Sequence, residues 1–256
     1  LFLILALIGA TVQSCIDETF EAVEGNEVEV TFRFNVEGST QTRAISDGKS
    51  VDKLVYAIVT EDGKQISRNE KILENGFSSS LDMTMTVSMV KGLTYKAVFW
   101  AQSSECSAYT VSDDMTVSVD YSGASNDEKR DAFYGVSTPF TMAENQAEVI
   151  LKRPFAQFNA GTHPFDWEYA TGYHNFDVKK SAVMIRKVAD KINLWDGTVS
   201  GSADATFSPS ALPSEMLMTD VDGDGMKEEY KYLSMSYVLA GTEPTYHSVD
   251  LFFIDG

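Results

Sequence analysis

The chain has 256 residues and a net charge of −18, from 20 basic and 38 acidic side chains. That length suits one large β domain or two of ordinary size, and 43% apolar residues suffice to bury real cores. The acidity excludes nucleic acid as a partner, because phosphates need a basic patch, and it disfavours adhesion to anionic lipid by charge alone. Its plain reading is the solubility of an exposed protein.

Leu1 to Ala10 form an uncharged apolar run, shorter than the roughly 20 residues a membrane helix needs. The run reads as the core of a secretory signal peptide over residues 1–14, incomplete at its N-terminus because no Met and no basic segment precede it. A buried core helix is the alternative. The next residues, Val12-Gln13-Ser14-Cys15, resemble the lipobox of bacterial lipoproteins. There a small residue lets the peptidase approach, and the thiol takes up diacylglycerol. Gln13 departs from the usual small residue. The resemblance implies that Cys15 becomes the lipidated first residue, with several acyl chains giving stable anchoring. A disulfide to Cys106 is the other option for Cys15, although two cysteines make no framework. Otherwise Cys106 is a packed thiol. Asp17 and Glu18 resemble the acidic signal that directs lipoproteins of the Bacteroidales to the cell surface. On their own they are part of a solvated tether, residues 15–25.

From Asn26 the period becomes two. In 26–36, Val28, Val30, Phe32, Phe34 and Val36 share one face, which predicts a half-buried strand. A polar loop follows, then a strand over 52–60 closed by a turn at Asp62-Gly63. Residues 80–89 alternate strictly, so Leu81, Met83, Met85, Val87 and Met89 face one way. Such a methionine stripe could be an adaptable surface, but its period makes it core. Strands are also predicted over 93–102 and 114–121. The stretch NDEKRDAFYG at 126–135 has acids first, bases next and Gly last, which predicts a short helix.

Pro154 interrupts an apolar run and marks a boundary between an N-terminal sandwich, 26–153, and a C-terminal one, 154–256. Further strands are predicted over 181–188, 192–201, 229–241 and 247–256. Within the last, VDLFFI (249–254) is the strand and Asp255-Gly256 a turn opener at which the sequence stops, so the second sandwich is expected to be incomplete. Many short strands with turns between them make an all-β fold of sandwiches.

No catalytic motif is present. His163, His174 and His247 sit in no nucleophile or metal pattern, and there is no phosphate loop, so no enzyme is expected. Asp220, Asp222 and Asp224 with Gly225 match the start of a calcium loop. Position twelve, however, is Lys231 where a bidentate Glu is needed. A polar hairpin tip built from turn-forming residues is the competing reading, and no cofactor is expected beyond this calcium option.

The phrases TYKAVFWAQ (94–102), KRDAFYG (129–135), LKRPFAQFN (151–159) and EYKYLSMSYVLAG (229–241) together resemble a Bacteroidales lipoprotein family related to the fimbrillins, the subunits of type V pili. The resemblance implies tandem transthyretin-like β-sandwiches, export to the outer membrane and cell surface, and no catalysis. In that family an arginine-specific protease cuts the loop after the first strand. The strand leaves, and a neighbouring subunit donates its own, so the partners are other pilus subunits. The matching bond here is Arg43–Ala44, though an ordinary exposed loop arginine would look the same. The expected function is a fimbrial structural or adhesion subunit. The rival is a monomeric surface protein that binds glycan or another ligand through Trp167, Tyr169, Tyr173 and Phe176 of the segment 162–176. More commonly such a loop tucks its aromatics into its own domain.

Overall fold

A computed structural model describes residues 25–37, 50–77, 80–174, 176–241, 243 and 245–255. Cys15, Arg43 and Ala44 lie outside the described residues, as do the expected signal peptide and all of the tether except Gly25. The protein is all-β. Its first strands are β1 (Asn26–Val36), β2 (Lys53–Thr60), β3 (Gln65–Ile72), β4 (Ser80–Met89) and β5 (Thr94–Gln102). Next come β6 (Tyr109–Val111), β7 (Thr116–Val119), β8 (Ala132–Val136), β9 (Phe140–Thr141) and β10 (Gln146–Leu151). After Pro154 follow β11 (Phe155–Thr162), the helix α1 (Pro164–Tyr173), β12 (Val178–Val188), β13 (Lys191–Asn193), β14 (Val199–Ser200) and β15 (Ala203–Thr206). The remaining strands are β16 (Ser210–Ala211), β17 (Met216–Thr219), β18 (Glu228–Leu239) and β19 (Val249–Asp255).

β1 is the middle strand of a three-stranded sheet, antiparallel to β4 and parallel to β10. Its alternation is the one the sequence shows. Val30, Phe32 and Phe34 are buried, while Glu27, Arg33 and Asn35 face water. Opposite it, Met83, Met85, Val87 and Met89 are buried too, so the methionine stripe is core. Aromatic rings knit this layer: Phe32 meets Phe99 edge-on at 5.1 Å and Phe140 at 5.4 Å, and Phe34 meets Phe99 at 4.9 Å.

In the second sheet, β3-β2-β5-β8 with β9 beside β5, the inner strands β2 and β5 are buried on both faces. Leu54, Ile58, Tyr95, Ala97, Phe99 and Phe133 point into the core shared with β1. Their alternating neighbours Val55, Ala57, Val98, Trp100 and Ala132 point into a second core. This is why β2 and β5 are almost continuously apolar: strands covered on both sides lose the polar half of their alternation. The second core also takes Tyr109 and Val117 from before Pro154, and Phe155, Val183, Ile192, Tyr232 and Tyr237 from after it. A further sheet, β14-β13-β7-β6, joins strands from both sides of Pro154. The remaining sheets are β11-β18-β17 and one built on β12, which pairs β15 and β16 along one edge and β19 along the other.

The helix expected over 126–135 is a 3-10 turn at Glu128–Arg130 followed by β8. Asp127 caps the turn by accepting from the Lys129 N–H. Asp131 ends it, because its carboxylate is fully buried and paired with Arg153 at 3.1 Å. Arg153 also lies over the Phe133 ring at 4.6 Å, so a bonded charge pair sits where β8 enters the core. Ala132 and Phe133 then gain more from burial in the sheet than a helix could give them.

Candidate functional site

The α-helix that does form lies in the aromatic segment. Pro164 occupies its first turn, where its missing N–H costs nothing, and the His163 ring nitrogen Nδ1 accepts the Phe165 N–H at 3.3 Å. These two residues were the available sequence signal. None of the helix's residues is buried. Its inner side carries the half-buried Pro164, Trp167, Ala170 and Thr171, and the ammonium of Lys231 on β18 lies 5.7 Å from the centre of the Trp167 ring. The His163 ring meets Tyr230, also on β18, edge-on at 6.3 Å. The other side holds Phe165, Tyr169 and Tyr173, at 67%, 50% and 82% exposure, continued by Phe176 at 40%. The aromatics of this segment, Trp167 apart, are therefore displayed rather than tucked in.

Beside the helix, a groove of about 360 Å³ is lined by Asn159 and Gly161 of β11, Leu217 and Thr219 of β17, Tyr230 of β18, and Val221. Val221 belongs to the β17–β18 turn, which also carries the acidic triad. The fold brings Asp220, Asp222 and Asp224 together, with carboxylate oxygens within 4.8 Å of one another. Much of their hydrogen-bonding capacity serves the turn itself. Asp220 accepts from the Gly223 N–H at 2.6 Å and the Gly225 N–H at 2.9 Å. Asp222 accepts from Asp224 at 3.2 Å, and Asp224 from Met226 at 2.7 Å. Gly223 and Gly225 take φ of 79° and 89°, which side chains rarely tolerate. Three carboxylates at this separation suit a hard cation. Lys231, at the twelfth position, instead turns its charge to Trp167.

The three histidines serve locally. His163 caps the start of α1, His174 donates its backbone N–H to Ala170 O at its end, and the His247 ring nitrogens lie 2.8 Å from Thr245 Oγ1 and 3.0 Å from Arg186 O. Cys106 is a buried free thiol whose pKa is pushed up by burial. That makes it a packing group rather than a nucleophile.

Among solved structures, the chain is similar to a DUF1812 protein of Bacteroides thetaiotaomicron described as a candidate polysaccharide-binding protein. The TM-score is 0.56 at 12% identity, over 89% of this chain and 76% of that one. That likeness is one of fold. Weaker likenesses extend to the fimbrial anchor protein Mfa2 of Porphyromonas gingivalis (TM-score 0.48, 12% identity, 90% of this chain and 82% of that one). Another is a fimbrial assembly protein of Parabacteroides distasonis (0.42, 13%, 88% and 99%). No curated protein matches the chain. A family model does match, over residues 21–256, and the chain belongs to that family, DUF6562, a family of unknown function.

Proposed function

We propose that the protein is an exported lipoprotein of fimbrial type. It is a structural and adhesive subunit, held at the outer membrane through lipid on Cys15 and joined to other pilus subunits by β-strand exchange. The observation that supports this most is the seating of β1. Its two ladders are backbone hydrogen bonds that any strand can make, and its specificity lies in three buried side chains at period two. Arg43 and Ala44 fall in the sequence between β1 and β2, in a stretch rich in small polar residues. A cut there would leave β1 joined to the rest of the fold by its hydrogen bonds and packing, with no covalent link to β2. Each buried Val or Phe holds it with about 1.5–3 kcal/mol, so the cut does not eject the strand and a competitor of the same period must take its place. The fold shared with the Bacteroides DUF1812 protein is in keeping with a binding role rather than a catalytic one.

Limited digestion with an arginine-specific protease tests the reading. Early cleavage after Arg43 is expected, and the cut protein should then take up a fluorescent peptide of residues 26–36 that uncut protein refuses. Arg43→Ala should block both steps. Protein that is cut there yet keeps β1 against excess peptide, or that takes up the peptide uncut, would end the strand-exchange role.

A further inference from the structure

Single exposed apolar side chains are ordinary on protein surfaces. The outer side of α1 is different, because its exposed aromatics are in register. Phe165, Tyr169 and Tyr173 recur every four residues, so they form one stripe along the helix, and Phe176 follows just beyond its end. From Phe165 to Tyr173 the stripe runs about 12 Å, at the helical rise per residue. Tyr169 and Tyr173 stack on each other with centroids 5.0 Å apart and planes 27° from parallel, and the His174 ring abuts Tyr169 edge-on at 5.4 Å. Tyr173 thus presents a flat, supported ring face to solvent. Gly172 lies on the same side of the helix, with open space where a side chain would stand.

The charges around the stripe narrow the choice of ligand. The helix carries Asp166 and Glu168 and no basic side chain. Of the cations near the helix, Lys231 lies over Trp167, and Lys179 and Lys180 follow beyond its end, Lys179 paired with Asp177 at 2.6 Å. A polyanion, whether nucleic acid, anionic lipid or a sulfated glycan, meets repulsion from Asp166 and Glu168, and the helix offers no cation of its own to offset it. A second copy of a chain with charge −18 meets the same repulsion. A basic peptide would seek the indole, the best ring for a cation, and Lys231 already covers it. What matches open tyrosine faces flanked by carboxylates is a neutral ring with C–H bonds on one face and hydroxyls at its edge. The C–H groups pack on the negative face of the aromatic ring, and the carboxylates accept the hydroxyl protons.

We propose that the outer face of α1 binds neutral glycans, with pyranose rings stacked on Tyr173 and Phe165 and with Asp166 and Glu168 accepting their hydroxyls. The stripe's length suits a short oligosaccharide better than a single sugar. This site is separate from the strand exchange, because α1 packs against β18 while β1 pairs with β4 and β10.

Native affinity electrophoresis of the intact protein in gels containing dextran, laminarin, mannan or xyloglucan, with heparin and polygalacturonate as anionic arms, tests the proposal. Retardation by at least one neutral glycan and by neither polyanion is expected. Tyr173→Ala and Phe165→Ala should each weaken it about tenfold or more, while Tyr246→Ala, which removes a fully exposed aromatic elsewhere, should not. The substituted residues are not buried, so melting temperatures should stay at the wild-type value and separate lost binding from lost folding. Binding to no neutral glycan, retention by heparin, unchanged binding in both stripe variants, or displacement of the glycan by a short oligolysine peptide would overturn the proposal.

Discussion

Replacing Phe32 with Ala probes the seating of β1 directly. The side chain is fully buried, opposite Met83 on β4 and Ala147 on β10, with edge-to-face contacts to Phe99 and Phe140. Truncation loses the transfer energy of the ring and leaves a cavity, which costs about 3–5 kcal/mol for a buried aromatic. Each lost edge-to-face contact adds about 0.5–1.5 kcal/mol beyond area alone, so the upper half of that range is expected. Arg33→Ala is the matched control on the opposite face. Its side chain is 51% exposed and its approach to Asp82 is 3.8 Å, so a change within about 0.5 kcal/mol is expected. Urea denaturation followed by fluorescence reads both variants, since the fully buried Trp100 reports on the sheet that packs against β1. The midpoint should fall for Phe32→Ala while the slope stays that of the wild type. A domain with roughly 5–15 kcal/mol of stability survives the change at 25 °C. A cost below about 1 kcal/mol, or one equal to that of Arg33→Ala, would refute the claim that β1 is held by its inward side chains.

Arg153→Met should cost about 3–5 kcal/mol in the same assay, because it takes the guanidinium from the buried Asp131 carboxylate; adding Asp131→Leu should recover part of the loss. Stability should fall in acid. Asp114, Asp120 and Asp196 are held below the ordinary 3.8 by hydrogen bonds from Ser112, Ser122 and Thr198, so their contribution is complete above that value and disappears as pH drops through the lowered one. It should fall again in alkali. Burial pushes Tyr121 up to about 12, so the stability gained by keeping it neutral is intact below 10.0 and lost as pH rises through about 12, and buried Tyr109, also pushed upward, adds to the loss above 10.0; thermal melts across pH read both limbs. Calcium at about millimolar concentration should leave the melting temperature unchanged, given Lys231 at the twelfth position; a rise that Asp222→Asn abolishes would instead show a bound ion, through mass action. Cys15→Ser should abolish acyl labelling, and equal detergent partitioning of mutant and wild type would remove the lipid anchor.

The sequence disclosed most where burial is one-sided. β1 and β4 keep a polar face, so their alternation survives and both strands are read to the residue. β2 and β5 read as strands too, but their unbroken apolar runs do not say that one sheet serves two cores. That is a matter of which distant segments, Tyr109 and Val117 or Val183 and Ile192, come to cover the second face. β3 escaped individual notice because it is an edge strand whose Arg68, Glu70 and Lys71 show no apolar period. At 126–135 the order of charges suggested a helix, and a buried Asp131 paired across to Arg153 decided otherwise. The acidic triad was legible because a turn is local, and the fold does bring its carboxylates together. The aromatic stripe was not. Pro164 after His163 marks a helix start, but apolar residues on both sides of α1 erase the periodicity that would have identified the helix and its exposed face.

The pairing of β1 also sets how the molecule bears load. A pull on the chain ahead of Asn26, directed along the strand, acts across the hydrogen bonds to β4 and β10 rather than along them. The bonds are then strained together, and the strand behaves as a clamp in shear. A competing strand that enters from one end meets the same bonds one at a time and opens them as a zipper. The two routes have different barriers, and resistance to force follows the unfolding rate rather than the equilibrium stability. A subunit built this way can be hard to tear at its first strand and still yield that strand to a replacement.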